Sequence, residues 1–231
     1  MKRKLDEAKE TKEAKRPATQ YVSEWVTPSN IHNVLMNDHL SVWLKMYGMY
    51  GKNCLAEPSQ LLNFLFTQGH QFEEKLIEKI KEKFRPDEFL FITGKYQRHL
   101  VAKTIEAMNK GIPIIYGVPL SSERHKFYGI ADLVVRSDYI NRLVPETLDE
   151  SEETKGCPLS SRYHYRVIDI KFSTLPLRAD GIHILNQDHY KAYKSQLFMY
   201  NQMIAEIQGY FPNQAYVMGR KFRYTSRGAT M

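Results

Sequence analysis

The segment Arg166–Phe172 constrains the fold more than any other part of this chain. Its sequence, Arg-Val-Ile-Asp-Ile-Lys-Phe, has the apolar composition of a β-strand but contains charges in its interior. Because side chains alternate between the two faces of a strand, Asp169 and Lys171 project side by side, and the isoleucines and the phenylalanine lie on the opposite face. The pattern favours a strand of a buried sheet with a functional polar pair. An edge strand with a solvated ion pair is the alternative.

Helical and strand-like segments alternate along the chain, which predicts an α/β fold with a mixed sheet. Short segments rich in Val, Ile, Phe and Tyr predict strands over residues 89–93, 112–120, 128–136, 165–173 and 214–219. Apolar residues at helical spacing predict a helix from Thr27-Pro28, and further helices over 59–84 (with Gly69 as a candidate break), 98–110 and 188–208. The polar residues 145–162 are interpreted as a surface loop between two strands.

Composition narrows the class of protein. The chain has 231 residues, enough for one well-buried domain, which we place at residues 20–231, after a disordered charged tail over residues 1–19. No run of about 18 apolar residues occurs, so no membrane span is predicted. No apolar stretch follows the first basic residues, so no secretory signal is predicted. Cys54 and Cys157 form no metal-binding or disulfide pattern, which favours an intracellular protein in a reducing compartment.

The formal net charge of +7 favours an anionic partner, nucleic acid above all. The tail contributes +3 of this charge, because residues 1–16 hold seven Lys and Arg against four Asp and Glu. Its basic clusters, Lys2-Arg3-Lys4 and Lys15-Arg16, are a candidate nuclear address, with a solvated tail as the alternative. Further basic residues are candidates for a phosphate track, or are solvated surface charges: Lys191, Lys194, Arg220, Lys221, Arg223 and Arg227.

A second predicted strand also carries a charge inside an apolar run. The segment Tyr128–Val135 is apolar except for Asp132. An aspartate in such a strand costs free energy unless it is paired or binds a metal ion. The alternative is an aspartate at a strand end, in a turn that follows Gly129.

Two predicted helices add polar residues on their apolar faces. At 100° per residue, Glu73 falls in the middle of an apolar arc formed by Phe72, Leu76, Ile77, Ile80 and Phe84. A different helix phase would return Glu73 to the surface. Gln196 and Tyr200 are four residues apart and share one face of the last helix. A core tyrosine beside a surface glutamine is the alternative there.

In chain order these features are Gly69-x-x-Phe-Glu73, Gly129-Ile-Ala-Asp132, Asp169-Ile-Lys171 and Gln196-x-x-x-Tyr200. Together they resemble the PD-(D/E)XK nucleases, in particular the RecB-like branch. A weaker likeness, over Thr27–Gly48 and in the short segments 136–140 and 171–175, is to RecB-like nucleases of large DNA viruses.

The resemblance implies a restriction-endonuclease-like fold, with a mixed central sheet flanked by helices. By position, Asp132 and Asp169 match the family's two acidic metal ligands, Lys171 matches the catalytic lysine, and Glu73 matches a helical acid near the metal. Gln196 and Tyr200 match the helix motif that supports the site and touches the substrate. The implied cofactor is Mg²⁺ or Mn²⁺, for which carboxylates are suitable ligands. No iron–sulfur cluster is expected, because the cysteines that hold it in some relatives are absent.

The implied function is a metal-dependent deoxyribonuclease: an exonuclease, or an enzyme of flap and end processing, in DNA replication, recombination or repair. Its partner would be DNA, and its location the cytoplasm or nucleus, including that of a virus-infected cell. Two alternatives remain open. One is a nucleic-acid-binding module of the same fold without cleavage, and the other is a split or truncated member, since viral relatives continue beyond the point where this chain ends. The sequence identifies no protein partner.

Overall fold

The computed structural model describes residues 25–47, 57–226 and 229–230. The predicted tail, Cys54 and Arg227 lie outside these residues. The helices are α1 (Pro28–Leu35), α2 (His39–Tyr47), α3 (Gln60–Lys83), α4 (Val101–Asn109), α5 (Ser137–Leu143), α6 (Glu150–Glu153) and α7 (Tyr190–Gln208). The strands are β1 (Phe89–Phe91), β2 (Ile114–Ser122), β3 (Phe127–Arg136), β4 (Tyr165–Pro176) and β5 (Tyr216–Arg223), with a short pair β6 (Thr225–Ser226) and β7 (Ala229–Thr230). None of the described helices is both long and apolar enough to span a membrane.

The strands β1 to β5 form one mixed sheet in sequence order, β1-β2-β3-β4-β5. The two outer pairs are parallel, β1 with β2 and β4 with β5. The inner pairs, β2 with β3 and β3 with β4, are antiparallel. The predicted mixed α/β architecture is therefore confirmed, and the charged strands β3 and β4 lie next to each other in the middle of the sheet.

Helices cover both faces of the sheet. On one face, Leu197, Met203 and Ile204 of α7 pack on the buried side chains of Val134 and Val167. On the other face, α3 and α5 pack on a second apolar cluster: Ile77, Ile80, Phe84, Ile140, Leu143, Leu133, Ile168 and Ile170. Val167 and Ile168 belong to opposite clusters, so the alternation predicted for β4 is confirmed.

The alternation of side chains on β2 changes phase at Gly117. Tyr116 packs towards α3, whereas Val118, two positions on, packs towards α7. Gly117 has a φ of +62°, and a Cβ built there would lie 2.1 Å from the backbone oxygen of Thr93. Only glycine satisfies both conditions without strain, because it has no Cβ and adopts positive φ freely.

The same phase change occurs on the neighbouring strand β3. Leu133 packs towards α3 and Ala131 towards α7, although residues two positions apart on a regular strand share one face. Asp132 lies between these two residues, opposite Gly117 in the antiparallel register. The distortion of the hairpin is therefore centred on the charged position of β3.

The secondary structure differs from the sequence prediction at several points. The helices α5 and α6 were not predicted, and β4 and β5 extend beyond their predicted ends at residues 173 and 219. Gly69 does not break α3, which is continuous over 24 residues. The strand β1 ends at Phe91 instead of residue 93, although the N–H groups of Ile92 and Thr93 still donate to the oxygens of Tyr116 and Gly117.

Residues 145–162, predicted as a surface loop, are exposed or half-buried except for Leu148. The segment also contains the short helix α6, and part of it anchors the fold. Glu152 of α6 forms an ion pair with Arg166, whose side chain is fully buried. The ring of His164 hydrogen-bonds through Nδ1 to the backbone oxygen of Lys155 at 2.8 Å. Leu148 is buried in the cluster beneath α3 and α5. These anchors are mostly polar, so the segment has the composition of a loop.

Candidate active site

Asp132 is tied directly to the neighbouring strand. Its Oδ2 accepts a hydrogen bond of 2.6 Å from the backbone N–H of Ile170 on β4. Asp169 immediately precedes Ile170 on β4, so this contact places the carboxyl group of Asp132 next to that of Asp169. Convergence of the two acids, expected from the sequence, is thus built into the pairing of β3 with β4.

Asp169 is fully buried and lies among groups that donate to it. Nζ of Lys171 donates to Oδ1 at 3.0 Å and lies 2.8 Å from Oδ2. Nε2 of Gln196, on α7, also donates to Oδ1, at 3.2 Å. Oδ2 accepts no well-directed hydrogen bond from the described residues. The charge of the Lys171 ammonium compensates this oxygen electrostatically, and the lack of a directed donor leaves its lone pairs open to a metal ion.

The electrostatics of the two aspartates reflect their burial and closeness. Burial, and then the negative charge of Asp169, raise the pKa of Asp132 to about 7. Burial also raises the pKa of Asp169, against the opposing effect of Lys171. The two carboxyl groups lie close enough to influence each other's pKa. Without a cation, the site therefore holds a proton near neutral pH.

Glu73 reaches the same region from α3, on the other side of the sheet from α7. Its Oε1 accepts a hydrogen bond of 2.9 Å from the hydroxyl of Tyr116 on β2. Burial, and then the negative charge of Asp132, raise the pKa of Glu73. A third carboxyl group is thus close enough to Asp132 to add to the negative charge of the site.

Lys171 and Tyr200 complete the group of predicted residues. Burial lowers the pKa of Lys171, but the charges of Asp169 and Asp132 outweigh that effect and raise it, so the ammonium stays charged. Its Nζ lies 5.5 Å from the ring centre of Tyr193. The hydroxyl of Tyr200 donates to the backbone oxygen of Ile130 and holds α7 against β3, two residues before Asp132.

The donor set suits a hard divalent cation bound partly by solvent or substrate. Among the described residues, no group of three or more His, Cys, Asp and Glu side chains forms a ready-made metal cage. Mg²⁺ does not require one, since it is usually bound by one or two carboxylates with waters and substrate phosphates. Asp132 and Asp169 supply two carboxylates, and the buried Oδ2 of Asp169 lacks a well-directed donor. Glu73 as a direct ligand stays a prediction.

The structure brings all six predicted site residues into one region, and adds two that the sequence did not indicate. Tyr116 binds Glu73, and Tyr193 lies against Lys171. Tyr116 has the composition of an ordinary strand residue, so nothing in the sequence separates it from a core tyrosine. Tyr193 lies three residues before Gln196, a spacing that places the two side chains on the same face of the last helix.

The candidate basic residues in the described part of the chain lie on α7 and on β5, the strand that pairs with β4. Lys191 and Lys194 line a cavity of about 580 Å³ between α1 and α7. Arg220 lies over the ring of Phe172 at 4.8 Å, and Arg223 lines a second cavity. A role in binding phosphate stays a prediction for these residues.

The geometry and chemistry of these side chains are the grounds for assigning the site. Comparisons of the chain with protein-family models, with curated proteins and with solved structures found no match.

Proposed function

We propose that this chain is a metal-dependent nuclease that hydrolyses phosphodiester bonds in DNA, with a restriction-endonuclease-like fold of the PD-(D/E)XK, RecB-like type. One observation carries the proposal. Two carboxyl groups lie side by side on adjacent strands, that of Asp132 half-buried and that of Asp169 fully buried. An ammonium group from Lys171 lies 3.0 Å from Oδ1 of Asp169. A structural ion pair needs one acid for one base. The second acid adds negative charge that a divalent cation would neutralise.

Asp132 and Asp169 would hold the ion, with Glu73 contributing a further negative charge. Bound Mg²⁺ or Mn²⁺ would polarise the phosphate and lower the pKa of the attacking water. No iron–sulfur cluster enters the proposal.

The protein side chains have separate tasks. Lys171 can donate a hydrogen bond to the attacking water or to a phosphoryl oxygen as negative charge develops. Gln196 holds Oδ1 of Asp169 at 3.2 Å and so fixes the orientation of the carboxylate. Tyr200 fixes α7 on β3 through the oxygen of Ile130. Substitution of Gln196 or Tyr200 should displace the carboxyl groups of Asp132 and Asp169 without removing either of them.

The resemblance to RecB-like enzymes favours action on DNA ends or flaps, in replication, recombination or repair inside the cell. The competing function is a nucleic-acid-binding module that has this fold but does not cleave. A binding module would have the same net charge and the same basic cavities as a nuclease. Only a measurement of DNA cleavage therefore distinguishes the two functions.

The test uses the purified full chain and labelled linear, circular and flapped DNA, with Mg²⁺, Mn²⁺ or EDTA. The proposal predicts cleavage with either metal and none in EDTA, with linear and flapped DNA cut faster than closed circles. Binding without cleavage under every metal condition would favour the binding module. Cleavage that survives EDTA would contradict the metal-dependent mechanism.

A further inference from the structure

A cavity with two arginines lies beyond the candidate active site, where β4 and β5 end. Its volume is about 460 Å³. Pro176 and Arg223, which pair across the two strands, form one wall. A turn that follows β4 forms the other wall and supplies Arg178. The remaining lining residues are Leu177, Ala179, Leu185, Gln187 and Tyr224.

The two guanidinium groups have no acidic partner within the described part of the chain. Neither Arg178 nor Arg223 forms an ion pair there with a carboxylate within 4.0 Å. The acid nearest in sequence, Asp180, is engaged inside its own turn. Its Oδ1 accepts from the N–H groups of Ile182 and His183, and its Oδ2 lies 2.9 Å from the ring of His183. The cavity therefore presents uncompensated positive charge.

A third cation strengthens this charge. Lys194 on α7 lines the neighbouring cavity between α1 and α7. Burial, and then the positive charge of Arg178, lower the pKa of Lys194, so the two like charges are close enough to repel each other. Clustered cations are unfavourable on their own and become favourable when an anion lies between them. Arginine pairs bind phosphate in particular, because the planar guanidinium donates two parallel hydrogen bonds to it.

The cavity is joined to the candidate active site by β4 and by the first turn of α7. Pro176 follows Lys171 by five residues on β4, which is about 16–17 Å at the rise of an extended strand. Tyr193 contacts Lys171 at one end and packs on His189 and Tyr190 at the other, with ring centres 5.6 and 5.7 Å apart. Aromatic rings beside cations are the surface on which nucleic-acid strands stack.

We propose that the cavity lined by Arg178 and Arg223 binds a phosphate of the nucleic-acid strand that is cut at Asp132 and Asp169. The inference rests on the proposed function for the identity of the strand. The separation of about 16–17 Å corresponds to about five base-pair steps of B-form DNA. The bound phosphate thus lies a fixed, short distance from the cut. It is either an internal phosphodiester or the terminal phosphate of a DNA end.

The first test measures DNA affinity in EDTA, where cleavage is blocked, as a function of salt. The variant Arg178→Gln/Arg223→Gln should bind at least ten-fold more weakly than wild type. The slope of log affinity against log salt should fall by about one per lost phosphate contact. The matched control is Lys110→Gln/Arg162→Gln, which removes the same charge near Tyr163, at the opposite end of β4. Thermal unfolding of both variants shows that each is folded.

Equal losses of affinity in the two double variants would overturn the inference, since net charge alone would explain them. No loss in the arginine variant would overturn it as well. If wild type binds but never cleaves, and only the arginine variant loses affinity, the proposed nuclease function fails and the phosphate site stands.

The second test locates the phosphate. A single neutral methylphosphonate is moved along the labelled strand, and affinity is measured for each position. A methylphosphonate at one position about five steps from the cut should weaken wild-type binding and leave the arginine variant unaffected. Oligonucleotides with and without a terminal phosphate distinguish the two sources of the anion. If the cavity binds the terminal phosphate, removing that phosphate should weaken binding by the wild type. If the cavity binds an internal phosphodiester, removing the terminal phosphate should leave the affinity unchanged. Equal sensitivity of both proteins at every position would contradict a site in this cavity.

Discussion

Asp132 on β3 accepts a hydrogen bond from the backbone N–H of Ile170 on β4, at 2.6 Å. The strand pairing itself therefore places the Asp132 carboxyl group beside Asp169. Because this donor is part of the backbone, replacing side chains around it leaves it in place. The site can thus be altered chemically without losing the contact that positions it.

The charge of the site predicts how metal binding depends on pH. Burial and Asp169 raise the pKa of Asp132 from 3.8 to about 7, so the folded protein holds this proton more tightly than the unfolded chain. The metal-free protein should then lose stability as the pH rises from about 4 through about 7. Mg²⁺ must displace the proton, so it should stabilise the protein more at pH 8 than at pH 5. Thermal unfolding with Mg²⁺ and with EDTA at the two pH values measures this.

The variant Asp132→Asn provides the control for that prediction. It keeps an oxygen that can accept from Ile170 and removes one buried negative charge. Without metal, it should be more stable than wild type at pH 8 and should show no added stability from Mg²⁺. A wild type that gains as much from Mg²⁺ at pH 5 as at pH 8 would argue against a metal site at these carboxyl groups.

Gly117 should be intolerant of any side chain. An alanine Cβ would lie 2.1 Å from the oxygen of Thr93, on a backbone with a φ of +62°. Gly117→Ala should therefore cost at least about 2 kcal/mol of unfolding free energy, and should disturb Asp132 on the facing strand. Urea denaturation measures the loss.

Gly69→Ala is the matched control for Gly117→Ala. Gly69 lies inside α3, and no atom lies within 4 Å of its missing Cβ. Alanine there should stabilise the protein by about 0.5–1 kcal/mol. A Gly117→Ala protein as stable as wild type would show that the distortion of the β2–β3 hairpin is not as described.

The ion pair between Glu152 and Arg166 should be important for stability. Arg166 is fully buried and Glu152 is its carboxylate partner. Glu152→Gln would leave a buried guanidinium without that charge, a change that costs about 3–5 kcal/mol in other buried pairs. The exposed pair Lys79–Glu82 gives the comparison, because Glu82→Gln should change stability by less than about 1 kcal/mol. Similar small effects of both substitutions, measured by urea denaturation, would refute the anchoring role of α6.

His164 predicts a second pH effect, of opposite sign. Burial lowers its pKa below 6.5, and Arg166 adds to this. Nε2 of His164 accepts from Arg166 at 2.9 Å, so the ring must be neutral in the folded protein. Since the unfolded chain binds this proton more readily, stability should fall as the pH drops below about 6.5. His164→Gln should flatten this part of the stability–pH curve, and a curve unchanged by the substitution would exclude His164 as its source.

The arrangement of charged strands could be predicted from the sequence because it depends on local pattern. The period of two on β4 places Asp169 and Lys171 together, and the helical period of α3 places Glu73 on the buried face. Neither pattern contains information on Gly117, whose phase change depends on the backbone oxygen of Thr93 from a different segment. Contacts between distant segments of this kind are invisible to periodicity.

The polar composition of residues 145–162 predicted a loop but gave no sign of the tertiary contacts that the segment makes. Polar composition normally marks a loop, but here Glu152 is polar because it neutralises Arg166, and that arginine is itself within a strand. The sequence contains both charges without indicating that they meet. The same limit applies to Arg178 and Arg223, which only the end of the β4–β5 pair brings into one cavity.

The central claim is that Asp169 and Lys171 catalyse cleavage and contribute little to DNA binding. The most direct measurement compares wild type, Asp169→Asn and Lys171→Ala for Mg²⁺-dependent cleavage of linear DNA, and for DNA affinity in EDTA. Both variants should lose cleavage by at least about 100-fold, with affinity nearly unchanged, because binding rests on many phosphate contacts. Asp169→Asn should bind slightly more tightly, since it removes a negative charge. Cleavage that persists in both variants would contradict the account.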